Sequence, residues 1–470
     1  MSRMIPSSLR PGQRRSRTLS LISDTHSAWR EKRGPVNGTH AFHIVQPNDP
    51  RRGDSTRSTE AACDVLTHGT IQLDAVILGG GVAGLWTLDE LTRRGYAALL
   101  IEREALGAGQ TVASQGIIHG GLKYSLAGLF SESARAIRDM PLIWRECLAG
   151  QREPRLTGTT VRSQFCHLWN TESVSSRLGM IGAKVGLRIR PVEVAPQERP
   201  PVLRDVPGTV ARLDEQVIDP VSLMGDLLAR NHARVIGPVP DGGIGIVPKF
   251  YGVDVLVQDG SRSASIHAPA CIFAAGAGNA DLRRLVDLPV QMMQRRPLHM
   301  VMARGERLPI LNGHCVDGRR TRVTITSASD SVGRVIWQVG GQIAEDGVTM
   351  DEATLIAHAC RESHEALGGF DPGPDVEWAT YRVDRAEAAT GSGVRPDDVF
   401  VRREGPFITA WPTKLALAPR VAERIAEALD RPRGEAAPSP EMIDWPRPPV
   451  APPPWETAPR WIAATSATRV

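Results

Sequence analysis

The chain has 470 residues, 41% of them apolar, and a formal net charge of +4. This leaves room for two or three domains on the usual scale of roughly 150 residues each, and so mild and dispersed a charge argues against nucleic acid as a partner. No stretch approaches the ~20 apolar residues that span a bilayer, and no apolar signal core follows Met1. The six cysteines, Cys63, Cys147, Cys166, Cys271, Cys315 and Cys360, are scattered without a C-x-x-C pair. Neither a bound metal nor a disulfide framework is expected, and reduced thiols in a cytoplasmic protein are the simpler reading. Peripheral attachment to a membrane stays open.

Residues 1–70 carry Arg14-Arg15, Arg51-Arg52 and many Ser and Thr without sustained periodicity. They read as a disordered basic arm. A targeting peptide and an over-called start site compete with that reading, the former weakened by Asp24, Glu31, Asp49 and Asp54.

The folded body is expected between Gln72 and Leu429. Residues 73–78 form an apolar strand, and Gly79, Gly80, Gly81 and Gly84 a glycine turn. Leu85, Leu88 and Leu91 mark one face of a helix, residues 97–101 form a second strand, and Glu102 closes the unit. Strand, glycine turn, helix, strand and acid make the layout of a dinucleotide-binding unit. Gly79 permits the tight turn, Gly81 lets main-chain N–H groups approach a pyrophosphate, and Gly84 lets the helix pack closely. The helix start at Val82 and Ala83 turns its positive dipole end to the phosphates. Glu102 stands about the ~20 residues downstream where an acid holds a ribose hydroxyl. A strand–turn–helix without ligand is the alternative.

Residues 107–121 are small and glycine-rich, able to lay main-chain groups against a flat ligand. Around 131–148, Ile137, Met140, Ile143 and Trp144 recur at helical spacing and read as core. Residues 270–278 form a buried strand entering a small-residue turn. Between 290 and 342, the runs 298–302, 322–326 and 335–339 read as strands of an inserted antiparallel sheet. Residues 405–416 lead into a helical run ending at Leu429. Beyond Arg431 the prolines, among them Pro452-Pro453-Pro454, predict an extended tail with no packed element.

The glycine unit, the 107–121 loop, the 270–278 turn and the 405–416 segment, in this order, resemble the FAD-dependent oxidoreductases of the D-amino-acid oxidase superfamily. Residues 109–121, ending Ile117-Ile118-His119-Gly120-Gly121, are particularly similar to aerobic glycerol-3-phosphate dehydrogenases. Val217-Ile218-Asp219-Pro220 resembles the family's segment leading into a helix of the FAD domain. The resemblance covers most of 74–429 and neither terminus. It implies an α/β fold, a Rossmann-like FAD-binding domain with an inserted antiparallel-sheet substrate domain (α+β). The expected division is an arm at 1–70, the first part of the FAD domain at 71–289 with substrate-domain segments around 151–210, the substrate domain at 290–378, the last part of the FAD domain at 379–430 and a Pro-rich tail at 431–470.

By the same resemblance Gly79, Gly81 and Gly84 face the pyrophosphate and Glu102 the adenosine ribose. Arg103, Ser114, Gln115 and Gly116 lie beside the cofactor, Ala275 and Gly276 pass near the dinucleotide, and Val239 contacts the adenine. Thr413, Lys414 and Leu415 reach the pyrimidine end of the flavin, where a helix N-terminus stabilises an anionic ring. Two departures stand out. Trp411-Pro412-Thr413-Lys414 replaces the usual Gly-His-Gly type motif, and Ala113 stands where the glycerol-phosphate family has Arg, so substrate identity does not carry over.

With one glycine fingerprint in the chain, NAD(P)H is not an expected partner. Electrons are expected to enter from a small organic donor, an anionic amino acid, hydroxy acid or polyol phosphate, by hydride transfer to flavin N5. They leave to oxygen, a quinone or a carrier protein. Arg382 is the candidate for an anionic substrate group, since a guanidinium holds a carboxylate or phosphate through two parallel hydrogen bonds; an ion pair with Asp384 or Glu387 is the competing reading. His119 is the candidate proton acceptor, or else a structural histidine. Lys123 and Lys414 are candidate charges near the flavin, or ordinary solvated lysines. An FAD-binding module without turnover is the alternative function.

Overall fold

Three short strands, Ala75–Leu78, Ala98–Ile101 and Ala270–Phe273, are buried at every residue. Strands covered on both faces belong in a parallel sheet, and these pair parallel, in register, around Ala75–Leu78. The computed structural model describes residues 70–120, 137–171, 191–317, 320–433 and 445–463. The expectations for the basic arm up to residue 69, for Gly121, Lys123 and the helix start at 131–136, and for tail residues 434–444 and 464–470 lie outside those residues.

The sheet has six strands among the described residues, with Val235–Ile236 at one edge and Phe407–Trp411 and Phe400–Glu404 at the other; Phe400–Glu404 alone pairs antiparallel. Alternation decides what covers each face. Ala75, Ile77, Ala98 and Leu100 meet the helices Val82–Arg93, Pro220–Asn231 and Ala418–Glu427 in one core. Val76, Leu78, Leu99 and Ile101 point the other way, into a core shared with Val253, Val255, Val257 and Ile266. Those last residues belong to a four-stranded sheet of Ile71–Gln72, Ile244–Pro248, Val253–Gln258 and Ser263–Ala268. The described end of the helix expected around 131–148 is Met140–Leu148, with Ile137, Met140 and Trp144 buried in the first core.

The expected antiparallel strands lie within Met293–Gly305, Arg320–Ser329 and Val335–Gly340. They form part of a nine-stranded sheet that also recruits Cys166–Trp169, Val192–Glu193 and Val210–Leu213 from the 151–210 region. One pair in it, Cys166–Trp169 with Gly313–Asp317, is parallel. The boundary expected at 378/379 falls inside the strand Glu377–Ala388, which pairs along its whole length with Met293–Gly305. This is therefore a Rossmann-like sheet with an antiparallel substrate sheet inserted between its strands.

The tail differs most from expectation. Residues 445–463 are packed. Trp445 enters the core between the first two sheets and Trp455 enters a core with Met302, Ile336 and Ala379. Val450 bridges to Leu106, and Ile462–Ala463 adds a strand to Glu377–Trp378. Prolines keep much of the segment extended, though Pro454–Thr457 forms a short helix, and the tryptophans between them supply enough apolar area to anchor it. No helix among the described residues is long and apolar enough to cross a membrane. The described cysteines, Cys147, Cys166, Cys271, Cys315 and Cys360, are free thiols.

Candidate active site

A cavity of about 1020 Å³ opens between the glycine turn, the 107–119 loop and the substrate sheet. That is at the upper end of the ~300–1,000 Å³ usual for ligand pockets, room for a large cofactor and a small molecule together. At one end, Gly79 leaves its strand with φ +114°, and a β-carbon there would lie 2.5 Å from Ala275 Cα. A β-carbon on Gly84 would lie 1.9 Å from the Gly79 carbonyl oxygen, so this glycine faces the turn and does not line the cavity. Gly81 has only Thr111 Oγ1 nearby, at 3.5 Å, and opens to the cavity with Val82 and Ala83. Thr111 was missed from the sequence; its hydroxyl accepts from the Val82 N–H at 3.2 Å and fixes the loop over the helix start.

Glu102 also lines the cavity. Its carboxylate accepts from the N–H groups of Gly80 at 2.5 Å and Glu104 at 2.9 Å. Burial, the largest influence, holds the carboxyl above its ordinary range against the pull of these amides. Arg103 stands beside it, paired with Asp241 at 3.4 Å. Val239 is fully buried, gives its N–H to the Glu102 carbonyl at 3.0 Å and does not line the cavity; Pro240 and Ile244 do.

In the loop, a β-carbon on Gly116 would lie 2.1 Å from the Ile218 carbonyl oxygen, so main chain runs against main chain there. Ser114 lines the cavity with its hydroxyl buried and unpartnered among the described residues. Gln115 Nε2 donates to the carbonyls of Thr324 at 3.2 Å and Gln338 at 2.9 Å, stapling the loop to the substrate sheet. Ala275 and Gly276 form the opposite wall, where Gly276 accepts from Trp411 Nε1 at 3.0 Å. Thr413, Lys414 and Leu415 line the far end, Thr413 with φ +65°. Burial, with help from Arg395, lowers the Lys414 ammonium to about 7.

The substrate sheet adds Leu298, Met300, Arg320, Thr324, Arg382 and Arg385. Arg382 forms neither of the ion pairs weighed from the sequence: Asp384 pairs with Arg295 and Glu387 with Arg296. Its guanidinium donates to the carbonyls of Val348 at 3.0 Å and Met350 at 3.1 Å. Arg385, three residues on, pairs with Glu345 at 3.1 Å, while its Nε is buried without a partner among the described residues. His119 lines the cavity beside two groups missed from the sequence, Glu215 and His314. Residues far apart in the chain meet here, which no local pattern announces.

These features suit FAD. The glycines whose β-carbons would strike main chain shape a closed cradle, Gly81 leaves room for phosphate oxygens, and the orphaned Ser114 hydroxyl awaits a polar ligand atom. Residues 74–420 match the FAD dependent oxidoreductase family. The chain belongs to this family. This FAD-dependent oxidoreductase is 41% identical over 398 residues to a probable FAD-dependent oxidoreductase of Pseudomonas aeruginosa, covering 83% of this chain and 98% of that one. The crystal structure of the Pseudomonas protein superposes with a TM-score of 0.67, 36% identity and the same 83% of this chain against 99% of its own. Glycine oxidase from Geobacillus kaustophilus has a TM-score of 0.57 at 16% identity, over 77% of this chain and 96% of its own. L-α-glycerophosphate oxidase from Mycoplasma pneumoniae, solved with FAD bound, gives 0.55 at 15%, over 79% and 98%. The latter two share the fold.

Proposed function

We propose that this FAD-dependent oxidoreductase oxidises a small anionic donor, an amino acid, hydroxy acid or polyol phosphate. The supporting observation is the charge of the substrate-side wall. Arg320, Arg382, Arg385, Arg395 and Lys414 line it, against Glu345 and Asp384. Asp384 is already engaged by Arg295. An anionic ligand offsets the mutual repulsion of these cations, and it gives the buried Arg385 Nε an acceptor.

Main-chain amides at Gly81 and Ala83 hold the pyrophosphate in the turn that Gly79 opens and Val82 continues, Glu102 the ribose, and Ser114 and Gln115 the loop side of the cofactor. Arg103, Gly116, Ala275 and Gly276 line its path, and Thr413, Lys414 and Leu415 its far end. Bound FAD supplies the acceptor for the hydride that leaves the donor's carbon. Arg385 and Arg382 orient the donor's anionic group, and His119 accepts the proton from its O–H or N–H. Unpaired thiols throughout the described residues support a reducing, cytoplasmic setting.

The test is anaerobic bleaching of the protein's flavin absorbance by a panel of amino acids, hydroxy acids and glycerol or sugar phosphates, each beside a neutral ester or amide. Bleaching by the anions alone is expected. Equal bleaching by the neutral counterparts would remove the charge requirement.

A further inference from the structure

We propose that Glu215 is a positioning residue for His119: its buried carboxylate fixes which imidazole nitrogen carries the proton and stabilises the ring when it becomes charged. This rests on the reading of His119 as proton acceptor. The geometry comes from a short antiparallel contact. Ile117 bridges to Val217, Ile118 N–H donates to the Gln216 carbonyl at 2.8 Å, and Ile218 N–H donates to the Gly116 carbonyl at 2.9 Å. That register brings residue 215 beside residues 119 and 120. Glu215 is 2% exposed. One carboxylate oxygen accepts from the Gly120 N–H at 2.6 Å, and the other lies 3.6 Å from His119 Nδ1.

A buried carboxylate needs charge compensation as well as hydrogen bonds. Among the described residues one amide gives part of this, and His119 adds to it when it is protonated. At 3.6 Å the pair interacts through charge and lacks a formed hydrogen bond; such contacts commonly tighten in the substrate complex. An anion at Nδ1 draws the neutral ring's proton to that side and leaves Nε2 as the acceptor. As the donor is oxidised, its O–H or N–H proton passes to Nε2, while the hydrogen on carbon leaves with its electron pair to FAD. The ring then carries one positive charge, directly beside Glu215.

The groups around the pair are consistent with that role. His314, from Gly313–Asp317, has its ring centroid 5.4 Å from that of His119, and its Nδ1 meets Thr324 Oγ1 at 2.9 Å. Cys166 lies behind Glu215, fully buried, its thiol pushed well above its ordinary value by burial and then by the Glu215 charge. His119, Glu215 and His314 also form a ligand set of the kind a divalent metal takes. Their donor atoms all lie within 4.8 Å of one another, so a bound divalent ion is an outcome that the experiment must separate from the charge pair.

The experiment uses the holoprotein and needs no donor. Diethyl pyrocarbonate acylates neutral imidazole, so its rate at His119, followed by peptide mass spectrometry across pH, reports the ring's titration. Glu215→Gln keeps an acceptor for the Gly120 N–H and removes the charge. Its His119 inflection is expected to move to lower pH by about one unit, and Glu215→Asp to restore most of the shift. A structural role alone would lower Tm and leave the inflection in place, and an unmoved inflection in a folded Glu215→Gln protein would overturn the proposal. So would a divalent ion found at one per chain and lost in both Glu215→Gln and His314→Ala. Failure to find any oxidisable donor would count against the proposed function without moving this inflection.

Discussion

Gly84 packs directly beneath the carbonyl of Gly79, so closely that a β-carbon on the helix residue would sit 1.9 Å from that oxygen. Gly84→Ala must therefore push the helix off the turn. Overpacking of this kind costs about 1–3 kcal/mol, and the helix start moves with it. We expect a lower Tm together with loss of flavin absorbance. Gly81→Ala separates the two effects: its nearest neighbour is 3.5 Å away, so the apoprotein should melt normally while flavin content falls. Normal flavin content in Gly81→Ala would mean that the space beside this glycine is not the cofactor's.

Arg385 carries the strongest expectation for substrate binding. Hydrogen bonds to charged groups contribute about 1.5–3 kcal/mol, so Arg385→Met should raise KM for an anionic donor roughly ten- to a hundredfold with a smaller change in kcat. Arg382→Ala should raise KM as well, because it removes a wall cation and the two bonds to the Val348 and Met350 carbonyls. Steady-state kinetics with any donor that bleaches the flavin decides both; an unchanged KM would remove that arginine from the site.

Lys414 makes stability depend on pH. Its ammonium is lowered from 10.5 to about 7 in the folded protein, so the unfolded chain binds more protons between those values. Stability therefore rises with pH across that window and is least below about 7, where the lysine is charged in both states. Apoprotein carrying Lys414→Met should melt higher at neutral pH and lose this contribution to the rise. Melting curves of both apoproteins at several pH values from 6 to 10 check it on a roughly unit-spaced series; parallel curves would contradict it.

Trp455 fills the core beside Met302, Ile336 and Ala379, at 6% exposure, with the Arg162 guanidinium 5.4 Å from its ring. Trp455→Ala should cost about 3–5 kcal/mol, measured by denaturant unfolding. Arg162→Ala should cost far less. A loss below about 1 kcal/mol for the tryptophan would show that the tail contributes little.

What the sequence made legible was local. Gly79, Gly81 and Glu102 lie within one strand–turn–helix–strand unit, so their spacing alone carries the geometry. The strands at 298–302, 322–326 and 335–339 were visible through their apolar runs. The four-stranded sheet was overlooked although Val253, Val255 and Val257 alternate with Asp254, Leu256 and Gln258, a period of two that marks a half-buried strand. The strand Glu377–Ala388 is too rich in charge to read as apolar, and its pairing to Met293–Gly305 satisfies those charges across the ladder, as with Glu387 and Arg296. The partners of His119 were not legible, because Glu215 and His314 arrive from distant positions and only the completed sheets bring them together.

The packed segment 445–463 also sets an order of events. The Leu106 main chain obtains its partners from Pro449 and Ala451, and Trp378 obtains a neighbouring strand from Ile462. Both positions are synthesised long before those partners exist. The preceding portion can collapse as it leaves the ribosome, but these two positions wait for their partners until residues 449–463 have been made. Chains halted before residue 445 would leave Leu106 and Trp378 without these partners, open to water or to another chain.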